Sequence, residues 1–195
     1  MKYDKIVAIS QEKSKVKAEI AKQEIQNMLD RKEKVTMAAL IRKTGLIEDK
    51  PRTGYERVEK GEMYYLVDIY NNIMRVTEDN DQGDKQCYST GNYYSDKIIS
   101  ENNARADRLL RQLRQWQAQN DKVISVSDWK NDKINKYCIA YNYSLNELSI
   151  GIEQKLRRPN AIYFSTFQKA EEAIEVFKDE LIWYFTQYQQ RLDEE

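Results

Sequence analysis

The chain has 195 residues, of which 41% are hydrophobic and 11% aromatic, enough apolar material for one or two small domains with a core. Its 32 basic and 32 acidic residues cancel, so net charge does not steer the whole molecule toward nucleic acid or anionic lipid. There is no histidine, and Cys87 and Cys138 form no C-x-x-C pair, so we predict no catalytic residues, no metal site and no cofactor.

Residues 1–50 predict a helical head that resembles a helix-turn-helix in its first part. Residues 12–33 place apolar side chains at helical spacing, and residues 34–46 predict a second, shorter helix that ends at a glycine. A recognition helix for the major groove should follow. Residues 47–54 instead contain Pro51 and an acidic pair, so we expect no reading helix there.

The charge is distributed unevenly along the chain. Residues 1–60 contain 15 basic and 10 acidic side chains, a net charge of +5, and the remainder carries −5. The basic side chains of the head predict contact with nucleic-acid phosphates, and a solvated surface is the alternative interpretation. The predicted nucleic-acid-binding residues are Lys32, Lys34, Arg42, Lys43 and Arg52.

A linker over residues 51–61 is predicted to precede a body over residues 62–195, where the apolar period changes from helical to strand-like. Residues 63–70 and 73–77 predict a hairpin, because the intervening Asn71-Asn72 tolerates the positive φ of tight turns.

The body is predicted to contain a pseudo-repeat over residues 62–120 and 136–195. Each half runs from a hairpin through a loop and an aromatic strand that ends in serine to a long amphipathic helix. Two such ββ(β)α units predict an α+β fold, with an antiparallel sheet and helices packed on one side. The predicted strands are 91–95, 136–152 and 160–165, and the predicted helices are 100–120 and 166–192, the second opened by a capping box of Ser165 and Gln168.

Residues 78–86 are predicted to form a polar, acidic loop. Its carboxylates could imitate phosphates and occupy a basic groove on a nucleic-acid enzyme, with tyrosines as interface anchors. A flexible, solvated loop is the alternative. The predicted partner-binding residues are Glu78, Asp79, Asp81, Asp84, Tyr88 and Tyr93.

Two further patterns have an ordinary and a functional interpretation. The triplet of Glu153, Gln154 and Lys155 has the E-x-K form of metal-dependent nucleases, with Glu147 or Asp68 as a further carboxylate, and a solvated strand edge is the favoured alternative. An arginine series could lie on a nucleic-acid backbone, but its spacing favours a solvated helix face opposite the leucines. This series is Arg105, Arg108, Arg111 and Arg114.

Residues 12–46 resemble the N-terminal helices of transposase C-type accessory proteins. The segments 91–94, 110–116 and 162–174 resemble a group of uncharacterised phage proteins. Some anti-CRISPR proteins are similar in plan, because they join a helix-turn-helix head to a body that blocks a Cas effector. These resemblances imply a phage or mobile-element accessory protein.

We therefore expect a non-catalytic phage or mobile-element protein that binds and sterically inhibits a host defence nuclease, such as a Cas effector. The alternative is a DNA-binding transcriptional regulator or recombination accessory protein that uses the basic head, as a homodimer. The first ten residues are too short and too charged for a signal peptide, and no segment is as long as a membrane span, so a cytoplasmic location is expected.

Overall fold

The computed structural model describes residues 52–194 together with Glu19, Lys22 and Gln23. The chain divides into two units, Met1–Pro51 and Arg52–Glu195. The three described residues of the first unit are helical, Glu19, Lys22 and Gln23 being exposed. The predicted turn and second helix over residues 34–46 lie outside the described residues.

The second unit confirms the predicted α+β class. Over residues 52–194 it contains five strands and four helices. The strands are β1 (Met63–Val67), β2 (Ile73–Thr77), β3 (Lys136–Asn142), β4 (Glu147–Glu153) and β5 (Tyr163–Phe164). The helices are α1 (Gln82–Ser89), α2 (Lys97–Asn120), α3 (Val126–Lys130) and α4 (Phe167–Thr186). No helix in this part of the chain is long and apolar enough to cross a membrane.

The strands form two sheets, whereas the sequence predicted one. Strands β1 and β2 pair as an antiparallel hairpin from Met63 opposite Thr77 to Val67 opposite Ile73. The other sheet has the order β4-β3-β5, also antiparallel. The predicted strand 91–95 is reduced to one bridge, between Tyr65 and Tyr94, so it adds no third strand to the hairpin.

The predicted acidic loop over residues 78–86 is wrong from residue 82 onward, because helix α1 occupies that part. Asp81 is its N-cap and accepts a hydrogen bond from the backbone N–H of Asp84. The Asp84 carboxylate accepts in return from the backbone N–H of Asp81, which completes a capping box. Local hydrogen bonding therefore outweighs the loop tendency of Gly83 at this position.

The two long helices begin at other residues than predicted. Helix α2 starts at Lys97, three residues early, because the side chain of Asp96 accepts from the N–H of Ile99. Thr166 caps α4 in place of the predicted Ser165. The side chain and N–H of Ser165 instead donate to the carboxylate of Asp121.

The main apolar core lies where α2 and α4 pack together and where α4 covers β3, β4 and β5. Buried leucine, alanine and phenylalanine side chains fill it, and α4 bends at Phe177, whose backbone is not helical. The helix ends at Thr186 rather than at the predicted residue 192. The buried members of this core are Leu109, Leu113, Phe164, Ala170, Ala173 and Leu181.

Residues 52–61, predicted to be a linker, pack against the rest of the second unit. Gly54 is buried with a φ of 92°, and a Cβ added there would lie 2.7 Å from a side-chain carbon of Ile99. Its carbonyl accepts from the N–H of Ser95, and the carbonyl of Thr53 accepts from the N–H of Leu192. A glycine is therefore required at residue 54, both for its backbone conformation and for this close approach.

Candidate binding surfaces of the body

Glu78, predicted to be an exposed contact residue, is a buried ion-pair partner with 1% of its surface accessible. Its carboxylate accepts two hydrogen bonds from the guanidinium of Arg57, at 2.9 and 3.1 Å, and one from the hydroxyl of Tyr93 at 2.8 Å. The hydrogen bonds from Arg57 hold the pKa of Glu78 below its usual value, against the effect of burial. This carboxylate is saturated by its own fold.

Asp84 and Tyr93, also predicted to contact a partner, belong to the same buried network. Asp84 accepts from the hydroxyl of Tyr64 at 3.0 Å and from the N–H of Asp79 at 2.8 Å. The rings of Tyr64 and Tyr93 stack with centroids 4.0 Å apart. Burial, together with the hydrogen bond to Glu78, raises the pKa of Tyr93 to about 12. Because Glu78, Asp84 and Tyr93 are buried, their assignment as an exposed contact surface is corrected.

The other three predicted partner-binding residues are exposed. Asp79 and Asp81 remain on the surface, although Asp81 caps α1. Tyr88 is half exposed and stands edge-on to the ring of Tyr93 at 5.3 Å. Only two carboxylates therefore remain of the four that were expected to imitate phosphates.

The turn between β1 and β2, defined as residues 68–72 and called the hairpin turn below, presents two apolar side chains to solvent. Ile69 is 91% exposed and Tyr70 is 79% exposed. The carboxylate of Asp68 holds the turn, because it accepts from the N–H groups of Tyr70 and Asn72 at 2.8 Å each and from the side chain of Asn72 at 3.0 Å. The hydrogen bonds from Asn72 hold the pKa of Asp68 below its usual value.

Helix α2 supports the hairpin turn from one side. The guanidinium of Arg111 donates to the side-chain oxygen of Asn71, whose φ of 70° is the positive value predicted for this turn. Residues 68–70 were predicted to continue a strand, so this surface was not predicted. The available signal was the spacing of Asp68 and Asn72, which is typical of side chains that close a turn on their own backbone.

The predicted nucleic-acid-binding residues are only partly described. Arg52 is exposed, whereas Lys32, Lys34, Arg42 and Lys43 lie outside the described residues.

The arginine series of α2 does not form one solvated face. Arg105 makes a two-point ion pair with Glu180 and lies 3.9 Å from the ring centroid of Trp183. This packing holds α2 against α4, because an arginine can stack on an indole while its fork binds a carboxylate. Arg108 and Arg114 are exposed as predicted.

The E-x-K triplet is engaged in ion pairs at the end of β4. Glu153 pairs with Arg158 at 2.6 Å, and Lys155 pairs with Asp132 at 3.1 Å. Among the described residues, no group of three or more histidine, cysteine, aspartate or glutamate side chains could hold a metal ion. Both cysteines are free, Cys87 half-buried and Cys138 buried.

Comparison with known proteins gives a match in the first unit. The model of a family of unknown function, DUF6262, matches residues 2–49. No curated protein and no solved structure matches the chain. The surfaces described above all lie beyond the matched residues, so they are interpreted from their own geometry.

Proposed function

We propose that this chain is a non-catalytic binding protein whose body docks on a partner protein through the hairpin turn. The observation that carries the proposal is the exposure of Ile69 and Tyr70 on a turn that Asp68 and Arg111 hold in place. A turn whose backbone is already held in place loses little backbone entropy on binding, and tyrosine is enriched among the residues that dominate interface energies.

The chemistry of the turn defines the partner surface that would fit it. An isoleucine and a tyrosine ring require an apolar pocket, and the tyrosine hydroxyl requires a polar group at its rim. Arg111 lies beside the turn, so a carboxylate on the partner would be attracted to this side.

We propose further that the partner is a host defence nuclease, such as a Cas effector, that the bound body inhibits sterically in the cytoplasm. Support for this target class comes from the resemblance of the body to phage proteins. Electrostatic imitation of phosphates contributes little to the proposal, since only Asp79 and Asp81 remain exposed. The hairpin turn takes the role that was expected of the acidic loop.

A DNA-binding regulator or recombination accessory protein is the second candidate function. The observation that favours it is the net charge of +5 over residues 1–60, with Arg52 exposed at the start of the second unit. The resemblance of residues 12–46 to transposase-accessory proteins points the same way. In this function the head would contact phosphates, while the body would dock on another protein at the same DNA.

The test of docking is a double substitution in the turn, Ile69→Ser with Tyr70→Ser. We expect loss of the partner that co-purifies with the tagged full-length chain, because two exposed anchors are removed. The free energy of unfolding, measured by thermal denaturation, should stay within about 0.5 kcal/mol of that of the original chain, because neither side chain packs in the core. Leu145→Ser is the matched control, since Leu145 is 64% exposed on the other hairpin.

Full retention of the partner in the double variant would contradict docking through the hairpin turn. A second variant distinguishes the two candidate functions. It changes four basic residues of the head to glutamine: Lys32, Lys34, Arg42 and Lys43. An inhibitor that works through its body keeps its activity against the nuclease. A regulator loses its salt-sensitive binding to DNA.

A further inference from the structure

A cleft of about 370 Å³ opens at the end of α2. It lies between α2, the short helix α3 and the segment that leads into β5. Its volume is in the range of pockets that hold small organic ligands. The lining residues that matter here are Arg114, Gln117, Asp121, Trp129, Arg157 and Tyr163.

Two guanidinium groups in the cleft form no ion pair within the described part of the chain. Arg114 and Arg157 are both exposed, and neither forms an ion pair or a hydrogen bond with any residue of 52–194. This differs from Arg57, Arg105 and Arg158, which bind carboxylates. Two arginines without ion-pair partners at one opening favour an anionic ligand, because the N–H donors of a guanidinium match the geometry of phosphate oxygens.

The carboxylate that lines the cleft, Asp121, is engaged in hydrogen bonds. Asp121 accepts from the N–H and the side chain of Ser165 and from the N–H of Lys122. It closes the end of α2 and fixes the start of α4. Because these donors use its oxygens, Asp121 offsets the attraction of the two arginines for an anion only in part.

Trp129 supplies a fixed aromatic wall beside the arginines. Its ring meets Tyr163 edge-on with centroids 4.9 Å apart. The ammonium of Lys136 lies 5.2 Å from the indole centroid, and it is fully buried and held by the carbonyls of Asn131, Ile134 and Gln154. The indole therefore keeps one orientation.

The guanidinium of Arg157 lies over the indole at the outer limit of a cation–π contact, with its central carbon 5.8 Å from the ring centroid. A small movement of this unpaired, exposed side chain would admit a flat ring against Trp129 while the arginine keeps hold of a phosphate.

We propose that this cleft binds one nucleotide unit, with its base against Trp129 and its phosphate between Arg114 and Arg157. Positive charge beside an aromatic ring is how proteins hold single nucleotides of a strand without reading sequence. The unit can come from a free nucleotide or from a single-stranded nucleic acid. The site goes beyond the proposed function, because it shares no residue with the hairpin turn.

The experiment uses the full chain with three probes: adenosine monophosphate, an oligothymidine single strand and a duplex of the same length. All three tryptophans lie within residues 52–194, so quenching of their fluorescence reports on the body and not on the head. Calorimetry gives the Kd. At low salt we expect saturable quenching by the mononucleotide or the single strand. Trp129→Phe should remove most of that signal.

Arg114→Gln and Arg157→Gln should each raise the Kd about tenfold or more, as expected for loss of a charged hydrogen bond. Arg108→Gln is the control, since Arg108 is exposed on the same helix outside the cleft. Binding of the mononucleotide identifies a free-nucleotide site, and binding of the oligonucleotide alone identifies a strand site. Four results would each overturn the proposal: absence of quenching, binding of the duplex only, Kd values in both arginine variants equal to that of the original chain, or displacement of the nucleotide by the same concentration of inorganic phosphate as of free nucleotide.

Discussion

The hairpin β1–β2 and the sheet β4-β3-β5 bury opposite kinds of side chain. Below the hairpin β1–β2 the buried groups are two stacked tyrosines and two carboxylates, tied to an arginine. Between the sheet β4-β3-β5 and helix α4 the buried cluster is hydrocarbon, centred on Phe164. One unit is therefore stabilised by hydrogen-bonded charge at its hairpin and by apolar packing at its other sheet.

This difference has a consequence for how each half responds to its surroundings. Burial of hydrocarbon is insensitive to pH, whereas an ionised carboxylate in a buried network contributes only while it stays ionised. Helix α2 packs against β1, β2 and α4, so it connects the two halves. Substitutions on either side of α2 can separate the two sources of stability.

The largest effect is expected from Phe164→Ala in the apolar half. Phe164 is fully buried, and its ring meets Trp116 edge-on with centroids 6.0 Å apart. Truncation should cost about 3–5 kcal/mol of unfolding free energy, measured by urea denaturation. The loss should be the same at pH 7 and pH 5. Phe167→Ala, at a half-exposed ring, is the control and should cost much less. A loss near 1 kcal/mol at Phe164 would show that this cluster is not the main core.

A smaller effect, with a pH dependence, is expected from Glu78→Gln in the polar half. The amide keeps the shape but loses the charge that Arg57 binds, so the cost at pH 7 should be about 2 kcal/mol. The folded pKa of Glu78 is lowered. Its contribution is therefore complete above the ordinary carboxyl pKa of about 4.3 and disappears as the pH falls toward the folded pKa.

Urea denaturation of both chains from pH 7 down to pH 3 checks this dependence. The gap between the original chain and Glu78→Gln should narrow below about pH 4.3. Asp79→Asn is the matched control, as a neighbouring acid that is exposed. A gap that stays constant over the whole range would mean that the ion pair with Arg57 is not what stabilises the hairpin.

The smallest effect is expected from Asp81→Ala at the start of α1. Loss of an N-cap carboxylate typically costs about 1 kcal/mol, because the N–H of Asp84 loses its acceptor. The rate of backbone hydrogen exchange should increase more in α1 than in α2. Asp79→Ala should leave both the free energy of unfolding and the exchange rates almost unchanged. If Asp81→Ala is equally silent, α1 does not depend on its capping box.

The secondary structure of the body was largely predictable, because long amphipathic helices and alternating strands leave a clear period in the sequence. The sequence also identified the positive φ of Asn71. The prediction at α1 was wrong because its acidic residues were interpreted as the solvated charges of a loop. The spacing of Asp81 and Asp84 is a local capping signal and could have been recognised.

The candidate sites were harder to predict, because burial of a charge depends on partners far along the chain. Nothing near Glu78 in sequence shows that Arg57, 21 residues earlier, will neutralise it. Trp129 and Arg157 are also far apart in sequence, and they come together because α3 and the segment that leads into β5 line the same cleft. Sequence periodicity indicates which face of an element is apolar, but not which polar groups will meet.

The contact between Thr53 and Leu192 ties the order of folding to the order of synthesis. Asn103 reinforces it by bonding to Tyr55 on one side and to Tyr188 on the other. Contacts so distant along the chain carry a large loop-closure cost and tend to form last. The carbonyl of Thr53 therefore lacks this partner until residue 192 has been synthesised, whereas Gly54 and Arg57 can already bond to Ser95 and Glu78. A nascent chain halted before residue 188 would lack both Tyr188 and Leu192, so the side-chain oxygen of Asn103 and the carbonyl of Thr53 would be without these two donors.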